Sequence, residues 1–231
     1  MDSHHLRYLG AMGIQVWRQR QSANADRAPA VEVGGVPLGE NMPTEVAPGW
    51  EELAARVAGC TACSLHCSRT QTVFGVGDRE AKWLIVGEAP GADEDRQGEP
   101  FVGRAGQLLN AMLEALGLQR GQVYIANILK CRPPKNRDPL PEEVASCEPY
   151  LRHQMALLQP RIILAVGRVA GQNLLKTSAP LGRLRGIVHK YPDTTIPLVV
   201  TYHPAYLLRS PREKRRAWQD LRLALKVYRE L

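Results

Sequence analysis

Four short apolar runs constrain this chain more than any other feature. They are Lys82-Trp83-Leu84-Ile85-Val86-Gly87, Gln122-Val123-Tyr124-Ile125-Ala126-Asn127, Arg161-Ile162-Ile163-Leu164-Ala165-Val166-Gly167 and Leu198-Val199-Val200-Thr201. Runs of this length and composition, bounded by polar residues or glycine, read as strands buried on both faces. Helical patterns alternate with them. Leu108, Leu109, Met112, Leu113 and Leu116 give helical spacing over 106–116. Pro141 suits the first turn of a helix running through Cys147 to Leu158. A third helix is expected over 168–175, and a basic terminal helix from Pro211. Strands alternating with helices predict an α/β fold in three layers, α/β/α, around a central, mainly parallel four-stranded sheet. Sites in such sheets collect at the carboxyl ends of the strands. Glu88, Asn127 and His203 each follow a strand, so they are expected at one edge.

The 231 residues, 44% of them hydrophobic, allow one sizeable α/β domain. Leu6, Leu9, Ile14, Val16 and Trp17 form a loose stripe that predicts a short helix over residues 1–20. Residues 21–49 carry Ala, Gly, Pro and Asn without periodicity and read as a flexible linker. The folded domain is expected over 50–231, opening with a helix from Trp50 through Val57 that delivers Cys60 and Cys63. A net charge of +7 favours a polyanionic partner, nucleic acid above all. No apolar run approaches the ~18 residues needed to span a bilayer. No secretory leader is evident either, so no membrane partner and a cytoplasmic location are expected.

The cysteines add a second constraint. Cys60 and Cys63 form a C-x-x-C, and Cys131 and Cys147 lie far downstream. In a chain of this size without an export signal, four such thiols point to metal or redox chemistry rather than a disulfide frame. Zinc and an iron–sulfur cluster are both allowed by the count, and the wide spread of the second pair favours [4Fe–4S]. Cys67 reads as a spare thiol nearby. Lys130, Arg132, Lys135 and Arg137 surround Cys131 in a loop stiffened by Pro133 and Pro134, a candidate phosphate-contacting face.

Three further segments are motif-like. Gly87-Glu88-Ala89-Pro90-Gly91 continues through Glu94 to Glu99-Pro100-Phe101-Val102-Gly103. Asn127-Ile128-Leu129-Lys130-Cys131-Arg132-Pro133-Pro134 follows, and then His203-Pro204-Ala205. In this order and with this cysteine spacing, residues 50–229 resemble family 4 uracil-DNA glycosylase, the bacterial and archaeal iron–sulfur class. The resemblance implies a monofunctional hydrolase acting in base excision repair. It would flip uracil from single- or double-stranded DNA, break its N-glycosidic bond and leave an abasic site. It implies a [4Fe–4S] cluster on Cys60, Cys63, Cys131 and Cys147. It also implies a monomer, associated with the nucleoid when bound to DNA.

The resemblance also suggests residue roles. Phe101 would be the floor on which uracil stacks. Asn127 would read uracil O4 and N3–H, and His203 would stabilise charge on uracil O2. Glu88, with Ala89 and Gly91, would cradle sugar and base. Glu94 would crowd the C5 position against a thymine methyl, and Asn136 would be a pocket-side polar group. Arg132, Lys135, Arg137 and Arg209 would touch DNA. Leu207, with Tyr206 as second choice, would be the apolar wedge. Ala89 stands where relatives carry a water-orienting aspartate, which favours a dissociative path. The competing reading is a nonenzymatic, metal-stapled nucleic-acid-binding module, which needs only the cysteines and the basic face.

Overall fold

The computed structural model describes residues 49–231. The helix expected over residues 1–20, and the linker up to residue 48, lie outside the described residues. The chain runs through α1 (Trp50–Ala58), β1 (Val76–Gly77), β2 (Trp83–Gly87), α2 (Ala92–Gln97), α3 (Arg104–Glu114), β3 (Tyr124–Asn127), α4 (Pro141–Leu158), β4 (Ile162–Val166), α5 (Arg168–Leu174), α6 (Leu181–Leu184), β5 (Val188–Lys190), β6 (Pro197–Thr201), α7 (Pro204–Arg209) and α8 (Lys214–Arg229). Pro211 opens a short 3-10 turn, and α8 proper begins three residues later. Among the described residues no helix is long and apolar enough to cross a membrane.

The sheet has six strands in the order β1-β3-β2-β4-β6-β5. Its four central strands are parallel, as expected. The four-stranded expectation is corrected at the edges, where β1 and β5 pair antiparallel with β3 and β6. Neither edge strand carries an apolar run. β1 is two residues long, and β5 exposes Val188 and Lys190. An edge strand has one neighbour and an open side, so it needs no continuous apolar run.

The central strands divide their side chains between two cores. Leu84, Val86, Ile163, Ala165, Leu198 and Val200 face the core shared with α4 and α5, which supply Leu151, Met155 and Leu174. Trp83, Ile85, Ile162, Leu164, Val166 and Val199 face the opposite core, closed by Leu109 and Leu113 of α3 and Leu221 and Ala224 of α8. Alternation along each strand thus builds the three layers.

Register decides where the strands end. Gly87 pairs with Asn127, and Val166 with Thr201. The carboxyl ends of β2 and β3 are therefore level, as are those of β4 and β6. A buried polar lock holds α8 against this edge. Asp220 accepts from Arg185 through both oxygens (3.0 and 2.9 Å) and from the Thr201 hydroxyl (3.0 Å). Asp220 is fully buried and Arg185 nearly so. Removing one partner strands a buried charge, so Asp220→Ala is expected to lower stability by about 3 kcal/mol. Urea unfolding measures it, and a loss below ~1 kcal/mol would mean the pair behaves like a surface ion pair.

Candidate active site

The level strand ends frame a cleft of about 410 Å³, a volume suited to a small ligand. Glu88, Ala89, Gly91, Glu94, Phe101, Asn127, Asn136, Arg137, His203 and Arg209 all line it. Of the expected site residues outside the cysteine set, Arg132, Lys135 and Leu207 are not part of its wall.

Asn127 is the last residue of β3 and is 2% exposed. Its side-chain Oδ1 is buried without a hydrogen-bond partner. Phe101, in a left-handed backbone conformation (φ 55°), brings its ring beside that amide. Gly87 makes this approach possible. A Cβ there would lie 2.3 Å from Asn127 Oδ1 and 2.6 Å from Phe101 Cζ. The Phe101 and His203 rings face one another, with centroids 5.6 Å apart and planes 30° apart.

His203 ends the strand-to-helix connection into α7. Its Nδ1 accepts the Ala205 backbone N–H at 3.1 Å. A neutral imidazole bonded this way carries its proton on Nε2. Burial, aided by Arg209, lowers its pKa to about 4, so the ring is neutral at physiological pH. Gly167, at φ 103°, leaves room for it, since a Cβ there would lie 3.1 Å from His203 Cβ.

Glu88 moves the other way. Burial raises its carboxyl to about 7, the Asp138 charge adds to the rise, and Arg168 opposes it. Asp138, which also lines the cleft, pairs with Arg168 at 2.5 Å. Neither was singled out in the sequence, because a lone acid or arginine in a loop carries no motif.

Several expectations need correction. Leu207 is 1% exposed and packs into the core with α3 and α8, so it is not free to act as a wedge. Helical geometry turns the preceding Tyr206 outward instead, at 38% exposure on the cleft rim. There it stacks on Tyr202 at 5.2 Å, and Arg185 covers Tyr202 at 5.0 Å. Glu94 commits both carboxylate oxygens to backbone. Oε2 accepts from Gly91 N (3.0 Å), and Oε1 from Val102 N (3.2 Å) and Gly103 N (3.4 Å). It clasps the loop that carries Phe101 rather than offering a free carboxylate.

The basic loop is also less open than its composition suggested. Lys130 is 1% exposed and unavailable to phosphate. Arg137 forks onto buried Glu143 at 2.9 and 2.5 Å, and Arg132 donates to Asn136 Oδ1 at 2.8 Å. Lys135 is exposed and held by none of the side-chain contacts found among the described residues.

A second cavity lies where α1 packs on α4. Cys60, Cys63, Cys131 and Cys147 all line it, with Arg69, Lys130 and Tyr150. Arg69 Nη1 donates to Cys131 Sγ at 3.1 Å, and the Lys130 backbone N–H to Cys147 Sγ at 3.2 Å. Burial pushes the Cys131 thiol up and the Cys147 thiol to about 11. Among the described residues no group of three or more His, Cys, Asp or Glu side chains is spaced for a single metal ion. Four thiols around one cavity, with donors to two of their sulfurs, are a ligand set whose chemistry suits a thiolate-bound metal centre. Cys67 is exposed and does not line the cavity.

The model of the Uracil DNA glycosylase superfamily matches residues 74–222. The type-4 uracil-DNA glycosylase of Archaeoglobus fulgidus is 44% identical over 168 residues, covering 70% of this chain and 84% of that protein. The type-4 uracil-DNA glycosylase of Thermotoga maritima is 43% identical over 169 residues, covering 69% and 83%. The type-5 uracil-DNA glycosylase of Thermus thermophilus is 37% identical over 118 residues, covering 45% and 53%. With more than half its length matched and most of the type-4 relatives' length covered, the chain belongs to the uracil-DNA glycosylase superfamily, in its type-4 branch.

Proposed function

We propose that this chain flips uracil out of DNA and hydrolyses its N-glycosidic bond, releasing uracil and leaving an abasic site, with no lyase step. The observation that carries the reading is the unpaired, buried Oδ1 of Asn127 beside Phe101 and His203. A buried acceptor without a partner is costly, and a ligand that brings a donor repays the cost. Uracil N3–H is such a donor, and uracil O4 accepts from the same amide's NH₂. Cytosine offers an unprotonated N3 and an amino group, which leaves the amide mispaired. The metal-stapled, nonenzymatic reading gives this amide no task.

In the proposed reaction the flipped base stacks on Phe101. The bond between sugar C1′ and uracil N1 breaks, and its electron pair goes to the base, with charge developing on O2. His203 donates from Nε2 to that oxygen, a hydrogen bond stronger in the transition state than in the ground state. Water oxygen then bonds to C1′. Ala89 has no carboxylate to orient the water, so Glu88 is the acid that faces the cationic sugar and accepts a water proton when ionised. Backbone at Ala89 and Gly91 cradles the sugar, and Glu94 keeps the Phe101 loop closed.

Asn136 is the pocket-side polar group, Arg132, Lys135, Arg137 and Arg209 form the DNA-facing polar set, and Tyr206 takes the wedge position in place of Leu207. The substrate is uracil-containing DNA, single- or double-stranded. Residues 50–231 form the glycosylase domain, acting as a cytoplasmic monomer on the nucleoid. Cys60, Cys63, Cys131 and Cys147 would hold a [4Fe–4S] cluster, which when bound ties α1 to the Cys131 loop and takes no part in bond cleavage.

Three outcomes test this. Single-turnover assays on a uracil-containing oligonucleotide should show free uracil released by the native protein, a strong loss in Asn127→Asp, and about a 10²–10³-fold slower cleavage in His203→Ala with duplex affinity retained. No uracil released by the native protein would leave only the nonenzymatic reading. On pH, the ionised Glu88 is the active form, so kcat/KM should rise with pH through an apparent pKa near 7. His203, neutral above about 4, does not titrate in that window. Glu88→Gln should lower activity and flatten the rise, and a rise that survives the substitution assigns it to another group. Anaerobically purified protein should be brown and contain iron, whereas colourless protein with stoichiometric zinc would remove the cluster from the proposal.

A further inference from the structure

Lys130 is a fully buried lysine that neither the basic face nor the cleft employs. Its ammonium donates to the Asn127 backbone carbonyl at 3.0 Å and to Gln154 Oε1 at 2.6 Å. Gln154 is held in turn, since its Nε2 donates to the Phe74 carbonyl (2.9 Å) and the Tyr124 hydroxyl (3.2 Å). Both acceptors of the ammonium are neutral. Hydrogen bonds to neutral groups satisfy its protons without cancelling its charge, and burying a charge without a counter-charge is strongly unfavourable. Among the described residues it forms no ion pair with a carboxylate.

The groups that would supply the missing negative charge are the cysteines. Lys130 lines their cavity, precedes Cys131, and points its backbone N–H at Cys147 Sγ at 3.2 Å. Four thiolates on an iron–sulfur cluster carry net negative charge, and neighbouring charge and hydrogen bonds to sulfur tune such clusters. The other end of the same residue grips the peptide of the residue whose side chain holds the unpaired amide.

We propose that Lys130 is a positioning residue that serves both sites: its charge compensates the thiolate cluster, and its ammonium fixes the Asn127 peptide so that the amide presents its unpaired oxygen to the base. The inference rests on the glycosylase reading above, and it makes the cluster site and the base-reading site parts of one polar strut. Supporting contacts behind a ligand commonly matter by about 10–100-fold.

The test compares the iron-loaded native protein with Lys130→Met, Lys130→Gln and Lys130→Met/Gln154→Met. The probes are free uracil as inhibitor and a duplex containing a tetrahydrofuran abasic analogue, which has no base for Asn127 to read. In Lys130→Met the inhibition constant for free uracil should rise about tenfold or more, while affinity for the abasic analogue stays unchanged. Its visible absorption should bleach faster in air. Lys130→Gln keeps a donor without a charge, so uracil binding should recover in part while bleaching stays fast. The double variant replaces the ammonium and its Gln154 acceptor with apolar chains but also frees the Phe74 carbonyl and Tyr124 hydroxyl, so whatever its melting temperature it should not regain uracil affinity.

Native-like uracil inhibition and bleaching in Lys130→Met would overturn the proposal. So would a double variant in which uracil affinity returns together with melting temperature, since Lys130 would then act on stability alone. A native protein that releases no uracil fails the glycosylase reading itself, and that control is scored separately.

Discussion

The in-register parallel pairing of the central strands is the constraint on which everything else depends. Gly87 opposite Asn127 and Val166 opposite Thr201 bring the strand ends level. A slip of one residue would exchange the side-chain sets that fill the two cores. It would also move Asn127 away from the Phe101 ring and carry His203 off the shared cleft. The apolar faces that enforce the register therefore also hold the candidate site together.

Close packing at that edge then does chemical work. The same burial pushes Glu88 up to about 7 and His203 down to about 4. Desolvation disfavours whichever form is charged, so one physical cause moves an acid and a base in opposite directions. The result is a neutral donor and a carboxyl poised near physiological pH in a single cleft. Gly87 shows how little slack the arrangement has, because one methyl group there would overlap both the amide and the aromatic ring.

Polar side chains inside the protein are organised rather than scattered. Asp220 is satisfied by Arg185 and Thr201, Glu143 by Arg137 and the Leu140 amide, and Lys130 by Asn127 and Gln154. The Asp220 and Lys130 networks join elements distant in sequence, whereas the Glu143 network is local to the start of α4. Only Asn127 Oδ1 and the Trp83 indole nitrogen remain unpaired among the described buried side chains. Trp83 lies within a hydrophobic core, whereas Asn127 lies in the cleft, and that difference in place is why the proposed function rests on the Asn127 atom.

The sequence by itself determined the central layers and put several site candidates at strand ends. Continuous apolar runs, helical spacing after 106 and Pro141 at a helix start are local signals, and they mark β2, β3, β4, β6, α3 and α4. Residues with unusual chemistry at strand ends, such as Asn127 and His203, were legible for the same reason. The edge strands were not, because a strand with one neighbour needs no apolar pattern. Orientation and partnership were decided only by tertiary structure. Whether Leu207 or Tyr206 is exposed at the cleft rim depends on which side of α7 the core covers. Whether Glu94 is a free acid depends on three backbone amides folding around it. Lys130 and Lys135 sit in one basic loop and read alike, yet one is sealed between the cysteine cavity and Asn127 while the other is open to solvent. Charge is written in the sequence, but its burial is a property of everything packed around it.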